Sequence, residues 1–181
     1  MGVYTRMSTA PSRNVSKLVG GVAILAASGL VLSGCAGSSQ SETFPEVKIG
    51  TALPVTGSLA FLGPPEEAGV ALAVKDVNDA NKGVTLEVVY GDSGDLDNKA
   101  YETEIPRLLN EDVRAIVGAA SSGVSLQFID QVTKEAGVLM MSPANTSTAF
   151  SDYDDDGLYW RTAPADFLQG EALGTLLAQD G

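Results

Sequence analysis

Residues 115–148 read AIVGAASSGVSLQFIDQVTKEAGVLMMSPANTST and contain two short apolar segments, each followed by small polar residues. The apolar segments at residues 115–117 and 138–141 have the length and composition of buried strands. Between them, the spacing of apolar residues over 124–136 predicts a helix, which Gly137 ends. A strand, a helix and a second strand in this order form a βαβ unit, in which the two strands lie parallel.

Two small-polar turns follow these strands, at residues 118–123 and 142–148. Because parallel strands end at the same edge of a sheet, both turns are expected at one edge, where open α/β sheets bind ligands. We expect four residues to converge there, namely Ser121, Ser122, Ala144 and Thr146. Ser and Thr also cap helices and close turns, so capping is the alternative interpretation for the three hydroxyl residues.

The rest of the chain continues the alternation of strands and helices. Strands are predicted at residues 47–53, 84–90, 113–117 and 158–161, and helices at residues 66–80, 99–110 and 166–179. Residues 54–65 are rich in Gly and Pro and are expected to form a loop. Pro106 lies inside a predicted helix, so we expect a kink or a late start there. This order of elements predicts an α/β protein with a doubly wound parallel sheet.

Composition excludes several classes of function. The 181 residues include 11 Lys and Arg against 23 Asp and Glu, so the net charge is −12 and no nucleic-acid partner is expected. The chain has no His and one Cys, which excludes metal sites built on those ligands and leaves Ser121 without the usual base of a hydrolase. Residues 152–157 resemble the start of a Ca²⁺-binding EF-hand loop, but Ala163 stands where that loop needs Glu, so a solvated acidic loop is preferred.

The first 34 residues have the pattern of a secretory signal, with a basic start followed by an apolar segment at residues 18–32. They end in LSGC, which resembles a bacterial lipobox and places Cys35 at the cleavage site. On this interpretation Cys35 is lipidated and anchors the protein on the outer face of a bacterial membrane. A plain signal peptide or an uncleaved anchor is the alternative. Residues 35–45 are small and polar and are interpreted as a flexible tether.

Five segments between residues 49 and 173 carry a resemblance to a known family. They are IGTALPVTGSLAFLG, AVKDVNDANKG, VGAASSGVSL, VLMMSPANTSTAF and YWRTAPADFLQGEAL. With these, the sequence resembles the amino-terminal lobe of type I periplasmic binding proteins, specifically the substrate-binding lipoproteins of branched-chain amino acid ABC transporters. Members of that family have two lobes and enclose the ligand between them.

The resemblance implies a binding role, without catalysis and without a cofactor. It places the α-carboxylate of an amino acid or amide-type ligand against Ser122, with the Ala144 backbone and the Thr146 hydroxyl completing the site. Ser121 stays a further candidate, because this chain has one more residue between the two turns than the family pattern. Members that bind leucine, isoleucine or valine often carry Tyr near Leu62, and this chain has no Tyr there. Ligands related to these three amino acids therefore remain candidates. The implied partner is an ABC permease, and a ligand-sensing receptor subunit of the same fold is the alternative.

The resemblance also divides the chain. Residues 46–164 correspond to the amino-terminal ligand-binding lobe, and residues 165–181 to the start of the crossover to a second lobe. Since the sequence ends at Gly181, we expect that second lobe, which holds the ligand's α-ammonium in the family, to be absent. The helix at residues 166–179 is then expected to expose its apolar residues, which are Phe167, Leu168, Leu173, Leu176 and Leu177.

Overall fold

The structure is a computed structural model, and it describes residues 44–180. The predicted signal at residues 1–34, the lipidation of Cys35 and nearly all of the tether lie outside the described residues. Within residues 44–180, no helix combines the length and the apolar character that a membrane crossing requires.

Five parallel strands form one sheet. They are β1 (Glu46–Ala52), β2 (Thr85–Val89), β3 (Ala115–Gly118), β4 (Leu139–Ser142) and β5 (Tyr159–Arg161). Their order in space is β2-β1-β3-β4-β5, and every neighbouring pair is parallel. The chain first moves from β1 to one side and then to the other, so the topological switch lies between β1 and β3. The predicted doubly wound parallel sheet is confirmed.

Four helices connect and follow the strands. They are α1 (Gly63–Ala80), α2 (Tyr101–Asn110), α3 (Ser122–Asp130) and α4 (Asp166–Asp180), and a π-helical turn, Gln131–Glu135, continues α3. The helix predicted at residues 124–136 is therefore two residues longer at its start and changes its hydrogen-bonding pattern near its end. Gly137 has a φ of 63°, as its predicted role in ending the helix requires.

One face of the sheet packs against α2 and α3 and forms the core. Gly50, Ile116, Met140 and Tyr159 stand level with one another across four strands. Gly50 lets α2 approach closely, because a Cβ there would lie 3.3 Å from a methyl of Leu108. The helices contribute further buried side chains, which are Ile105, Leu108, Val124, Phe128, Ile129 and Val132. Full burial of such a side chain stabilises the fold by about 1.5–3 kcal/mol.

The predicted start of α1 at Glu66 is wrong, because the helix begins three residues earlier at Gly63. Pro64 and Pro65 lie in its first turn, where a missing N–H costs no helical hydrogen bond. Gly63 is required there, since a Cβ would stand 2.2 Å from the carbonyl oxygen of Pro54. In α2 the expected late start at Pro106 is wrong, because the helix begins at Tyr101 and retains Pro106 in its interior. A kink at Pro106 stays a prediction.

The surface of α4 is exposed along its whole length. Its five predicted apolar residues are 47–63% exposed, which confirms the expected exposure of this helix. The face of the sheet opposite the core also shows apolar side chains near β4 and β5, since Leu139, Met141 and Trp160 are exposed. Exposed apolar area of this extent favours association with other apolar surfaces.

Candidate ligand-binding site

Ser122 connects the turn after β3 to the turn after β4. It is the first residue of α3, and its hydroxyl oxygen accepts hydrogen bonds from the backbone N–H groups of Thr146 (3.2 Å) and Ser147 (3.3 Å). The structure therefore brings Ser122 and Thr146 together at the carboxyl edge of neighbouring parallel strands. Their contact with a ligand stays a prediction.

Several hydrogen-bond donors at this place remain available to a ligand. The Ser122 hydroxyl accepts two N–H groups, so its own proton is left to donate, and accepting such bonds strengthens it as a donor. The N–H groups of Ser122 and Gly123 open α3 and have no hydrogen-bond partner among residues 44–180. The Thr146 hydroxyl is likewise without a partner in that part of the chain. Together with the helix dipole, these donors favour an anion such as a carboxylate.

Ser121 and Ala144 have different surroundings from these donors. Ser121 is the N-cap of α3, with its hydroxyl oxygen accepting from the N–H of Val124 at 3.4 Å, so its geometry is that of the capping interpretation. The Ala144 N–H donates to the hydroxyl of Ser142 at 3.2 Å. Both residues lie half-buried beside Ser122 and Thr146 in the chain, and a ligand role for either stays a prediction.

Asn145 joins the two turns through buried hydrogen bonds, and the sequence did not indicate this role. Its buried side-chain amide donates to the carbonyl oxygens of Ala119 (3.0 Å) and Ala120 (2.9 Å). Its side-chain oxygen accepts from the hydroxyl of Tyr159 on β5 at 2.8 Å. The Ser142 hydroxyl adds a bond of 2.7 Å to Ala119 and accepts from the N–H of Asn145. These bonds fix the relative position of the turns that carry Ser122 and Thr146.

Tyr159 is nearly fully buried, and burial raises its pKa to about 12. The phenol therefore remains a neutral donor to Asn145 at physiological pH. Its ring stacks on Phe150, with 4.5 Å between the ring centroids. At the end of β5, Arg161 donates to the carbonyl oxygen of Ser147 at 2.6 Å, which places a positive charge close to the turn after β4. That charge favours an anionic ligand as well.

The loops after β1 and β2 are joined by two carboxylates. Asp92 accepts from the N–H groups of Val55 (2.9 Å) and Thr56 (3.1 Å), and Asp95 accepts from the N–H of Ser58 at 2.7 Å. Partial burial raises the pKa of Asp92, but its hydrogen bonds outweigh that effect and hold the pKa below the usual value. Bonds from Asn98 and Ser58 likewise lower the pKa of Asp95. Both carboxylates therefore hold the loops after β1 and β2 together.

The donor set suits binding better than chemical conversion. Within the described residues, no three side chains among His, Cys, Asp and Glu are grouped to hold a metal ion. The acidic loop places Asp154 in an ion pair with Lys134 at 3.3 Å, and Asp155 accepts from the N–H of Gly157 at 2.8 Å. What the carboxyl edge offers is uncharged donors, a helix amino terminus and a nearby guanidinium, which together can hold an anion in place.

A model of the family described as "Periplasmic binding protein" matches residues 46–181. Among curated proteins, the "Leu/Ile/Val-binding protein homolog 2" of Brucella abortus is 30% identical over 140 residues, which are 76% of this chain and 37% of that protein. The "Leucine-, isoleucine-, valine-, threonine-, and alanine-binding protein" of Pseudomonas aeruginosa is 31% identical over 145 residues, which are 78% of this chain and 38% of that protein.

A solved structure shares the fold. It is the branched-chain amino acid transporter substrate binding protein LivJ from Streptococcus pneumoniae in complex with isoleucine, with a TM-score of 0.60 and 29% identity over 67% of this chain and 34% of that chain. The present chain spans a little over a third of the length of the relatives it matches. These relatives are solute-binding proteins, in agreement with the expectation that the chain is not an enzyme. By sequence and by fold, this chain belongs to the periplasmic binding protein family, among relatives named for binding branched-chain amino acids.

Proposed function

We propose that the chain is the ligand-holding part of an extracytoplasmic solute-binding protein, which binds a branched-chain or related amino acid, or an amide, and delivers it to an ABC permease. The observation that carries the proposal is the Ser122 hydroxyl, which accepts two N–H groups from the turn after β4 and so keeps its own proton available to donate to a ligand. The names of the matched relatives support an amino acid as the ligand.

The ligand's carboxylate replaces water at four donors. These are the hydroxyls of Ser122 and Thr146 and the two N–H groups that open α3. Hydrogen bonds to a charged group contribute about 1.5–3 kcal/mol each, and part of this is lost to the entropy of fixing the ligand. Two or three such bonds alone therefore support binding in roughly the millimolar range, for which a Kd of 1 mM corresponds to about −4 kcal/mol.

Tighter binding requires contacts from a second side. In our proposal, a ligand held at Ser122 and Thr146 is then enclosed by a second lobe, which residues 44–180 do not include, and the permease recognises the closed form. Lipidation of Cys35 would keep the protein at the outer face of the membrane, close to that permease. Labelling cells with radioactive palmitate tests the anchor, because the Cys35→Ala chain should then carry no label.

The binding site is tested by two substitutions that each remove a hydroxyl. Thr146→Val should weaken binding of L-leucine by about tenfold, as expected for loss of one hydrogen bond to a charge. Ser122→Ala should weaken it by at least as much, because it also removes the acceptor of the Thr146 and Ser147 N–H groups. Thr148→Val is the matched control, because Thr148 lies two residues further in an exposed position. Titration of the ¹⁵N-labelled chain, followed by amide chemical shifts, measures millimolar affinities directly.

The analogue L-leucinol separates carboxylate recognition from other contacts, since it carries a hydroxymethyl group in place of the carboxylate. We expect the unsubstituted chain to prefer leucine over leucinol by more than tenfold, and Ser122→Ala to reduce that preference. Equal binding of the two ligands, or chemical-shift changes that avoid α3 and the turn after β4, would contradict the proposed site.

A further inference from the structure

We propose that Leu96 is a specificity-determining residue, whose side chain contacts the side chain of the ligand and selects apolar over polar amino acids. This inference rests on the function proposed above, since it takes the ligand's carboxylate to lie at Ser122 and Thr146. It adds the residue that recognises the ligand's side chain.

The position of Leu96 supports this role. It lies in the loop after β2 and its side chain contacts the first turn of α3, because a Cβ placed on Gly123 would stand 3.3 Å from a Leu96 methyl. Gly123 follows Ser122 directly. Since Gly123 has no side chain, Leu96 places an apolar side chain close to the donors that open α3. It is 50% exposed, so part of the residue remains accessible to a ligand.

The loop that carries Leu96 is held firmly. The carboxylate of Asp95 accepts from the N–H groups of Asp97 and Asn98, both at 2.9 Å, and so closes the backbone around Leu96 into a turn. The same carboxylate accepts from Ser58, and the Asn98 amide donates to the Thr56 hydroxyl at 2.9 Å. An exposed leucine in an acidic turn gains little for folding, whereas its fixed placement beside the donor set suits recognition.

In this proposal the side chain of a leucine ligand extends from the donors at Ser122 to Leu96, which lies beside the adjacent Gly123. From its carboxylate carbon to its terminal methyls there are four bonds of about 1.5 Å each, and apolar atoms are in contact below about 4.5 Å. An asparagine ligand has nearly the same shape but would place its amide against the Leu96 methyls and lose hydrogen bonds to water. The site should therefore discriminate between these two amino acids.

The test compares L-leucine with L-asparagine by chemical-shift titration of the 181-residue chain and of three variants. Leu96→Ala removes the proposed contact, Leu96→Asn makes it polar, and Leu72→Ala is the control because Leu72 is a 60% exposed leucine on α1. We expect the unsubstituted chain to bind leucine more tightly than asparagine by about tenfold, from the apolar area covered. Leu96→Ala should lower that ratio about fivefold, Leu96→Asn should bring it close to one, and Leu72→Ala should leave it unchanged.

The outcomes separate the inference from the function on which it rests. If leucine binds to the unsubstituted chain and the leucine-to-asparagine ratio is the same in Leu96→Ala, the role of Leu96 is overturned while the proposed function stands. An unchanged ratio includes the case in which both ligands lose affinity equally, which would mean that Leu96 only shapes the loop. If the unsubstituted chain binds neither ligand, the proposed function is overturned and this inference with it.

Discussion

Replacing Asn145 by Leu should destabilise the lobe, because it keeps the branched shape of the side chain but removes the polar atoms that serve three buried groups. The Ala120 carbonyl loses the donor of its hydrogen bond and the Tyr159 hydroxyl loses its acceptor, and both residues are less than 10% exposed. The Ala119 carbonyl keeps its bond to Ser142. Each buried polar group left without a partner costs about 1–3 kcal/mol, so the free energy of unfolding should fall by about 2–4 kcal/mol after the gain from a buried leucine.

A double-mutant cycle with Tyr159→Phe identifies the hydrogen-bond partner. Tyr159→Phe alone leaves the Asn145 side-chain oxygen unpaired and should cost about 1–2 kcal/mol. In the Asn145→Leu background the same change removes a hydroxyl that is already unpaired, so its cost should disappear. The coupling energy between the two positions should therefore be about 1 kcal/mol or more.

Urea unfolding followed by circular dichroism measures these free energies, with the denaturant dependence checked to be equal across the four proteins. The control is Thr148→Val, at an exposed position in the turn after β4. The reasoning is refuted if Asn145→Leu unfolds within 0.5 kcal/mol of the unsubstituted chain, a margin of about the size of ordinary surface effects. It is also refuted if the two substitutions are additive.

Three further predictions concern pH and association. Burial raises the pKa of Tyr159 to about 12, so the unfolded chain releases this proton at lower pH than the folded chain does. The free energy of unfolding should therefore fall between about pH 10 and 12. Tyr159→Phe should abolish this fall, whereas Tyr90→Phe, at an exposed tyrosine, should retain it. The pKa of Asp92 lies below its usual value of about 3.8, so its contribution to stability should be lost as pH falls through about 4 and below. Asp92→Ala should lower the free energy of unfolding by about 1–3 kcal/mol at neutral pH, in contrast to Asp76→Ala on the exposed face of α1. If the two variants lost equal stability on acidification, this prediction would be contradicted. The exposed apolar side chains of α4 should cause concentration-dependent self-association, which analytical ultracentrifugation measures. The double variant Leu173→Glu with Leu177→Glu should associate less, and the control Gln169→Glu should associate as the unsubstituted chain does. An unsubstituted chain that stays monomeric at high concentration would show that α4 does not mediate contact.

The order of the elements was predictable because each buried strand is a short apolar segment between small or polar residues. Residues 138–141 are an example, since they consist of apolar residues and follow Gly137. The edge at which the polar turns meet follows from the parallel direction of the strands. The start of α1 was not predictable by the same rule, because Gly and Pro usually mark loops, yet Pro64 and Pro65 fit the first turn of a helix.

The different roles of the site residues could not be predicted from the sequence and are visible only in the structure. Neighbouring serines look alike in the sequence, and only the structure shows that Ser121 caps α3 while Ser122 joins the two turns. Asn145 was missed for a related reason. An asparagine among small polar residues indicates a turn, and its burial depends on Tyr159 and on two carbonyl groups that are 25 or more residues away in the other turn.

The bond between Ser122 and the turn after β4 determines when the entropy of ordering the site is lost. Because Ser122 and Asn145 hold both turns in place without a ligand, that loss occurs during folding and does not recur when an amino acid arrives. In a preorganised site of this kind, the contacts with the ligand do not have to offset the cost of ordering the turns. Substitutions that loosen the turns should therefore weaken every ligand alike, as a general entropic penalty on association.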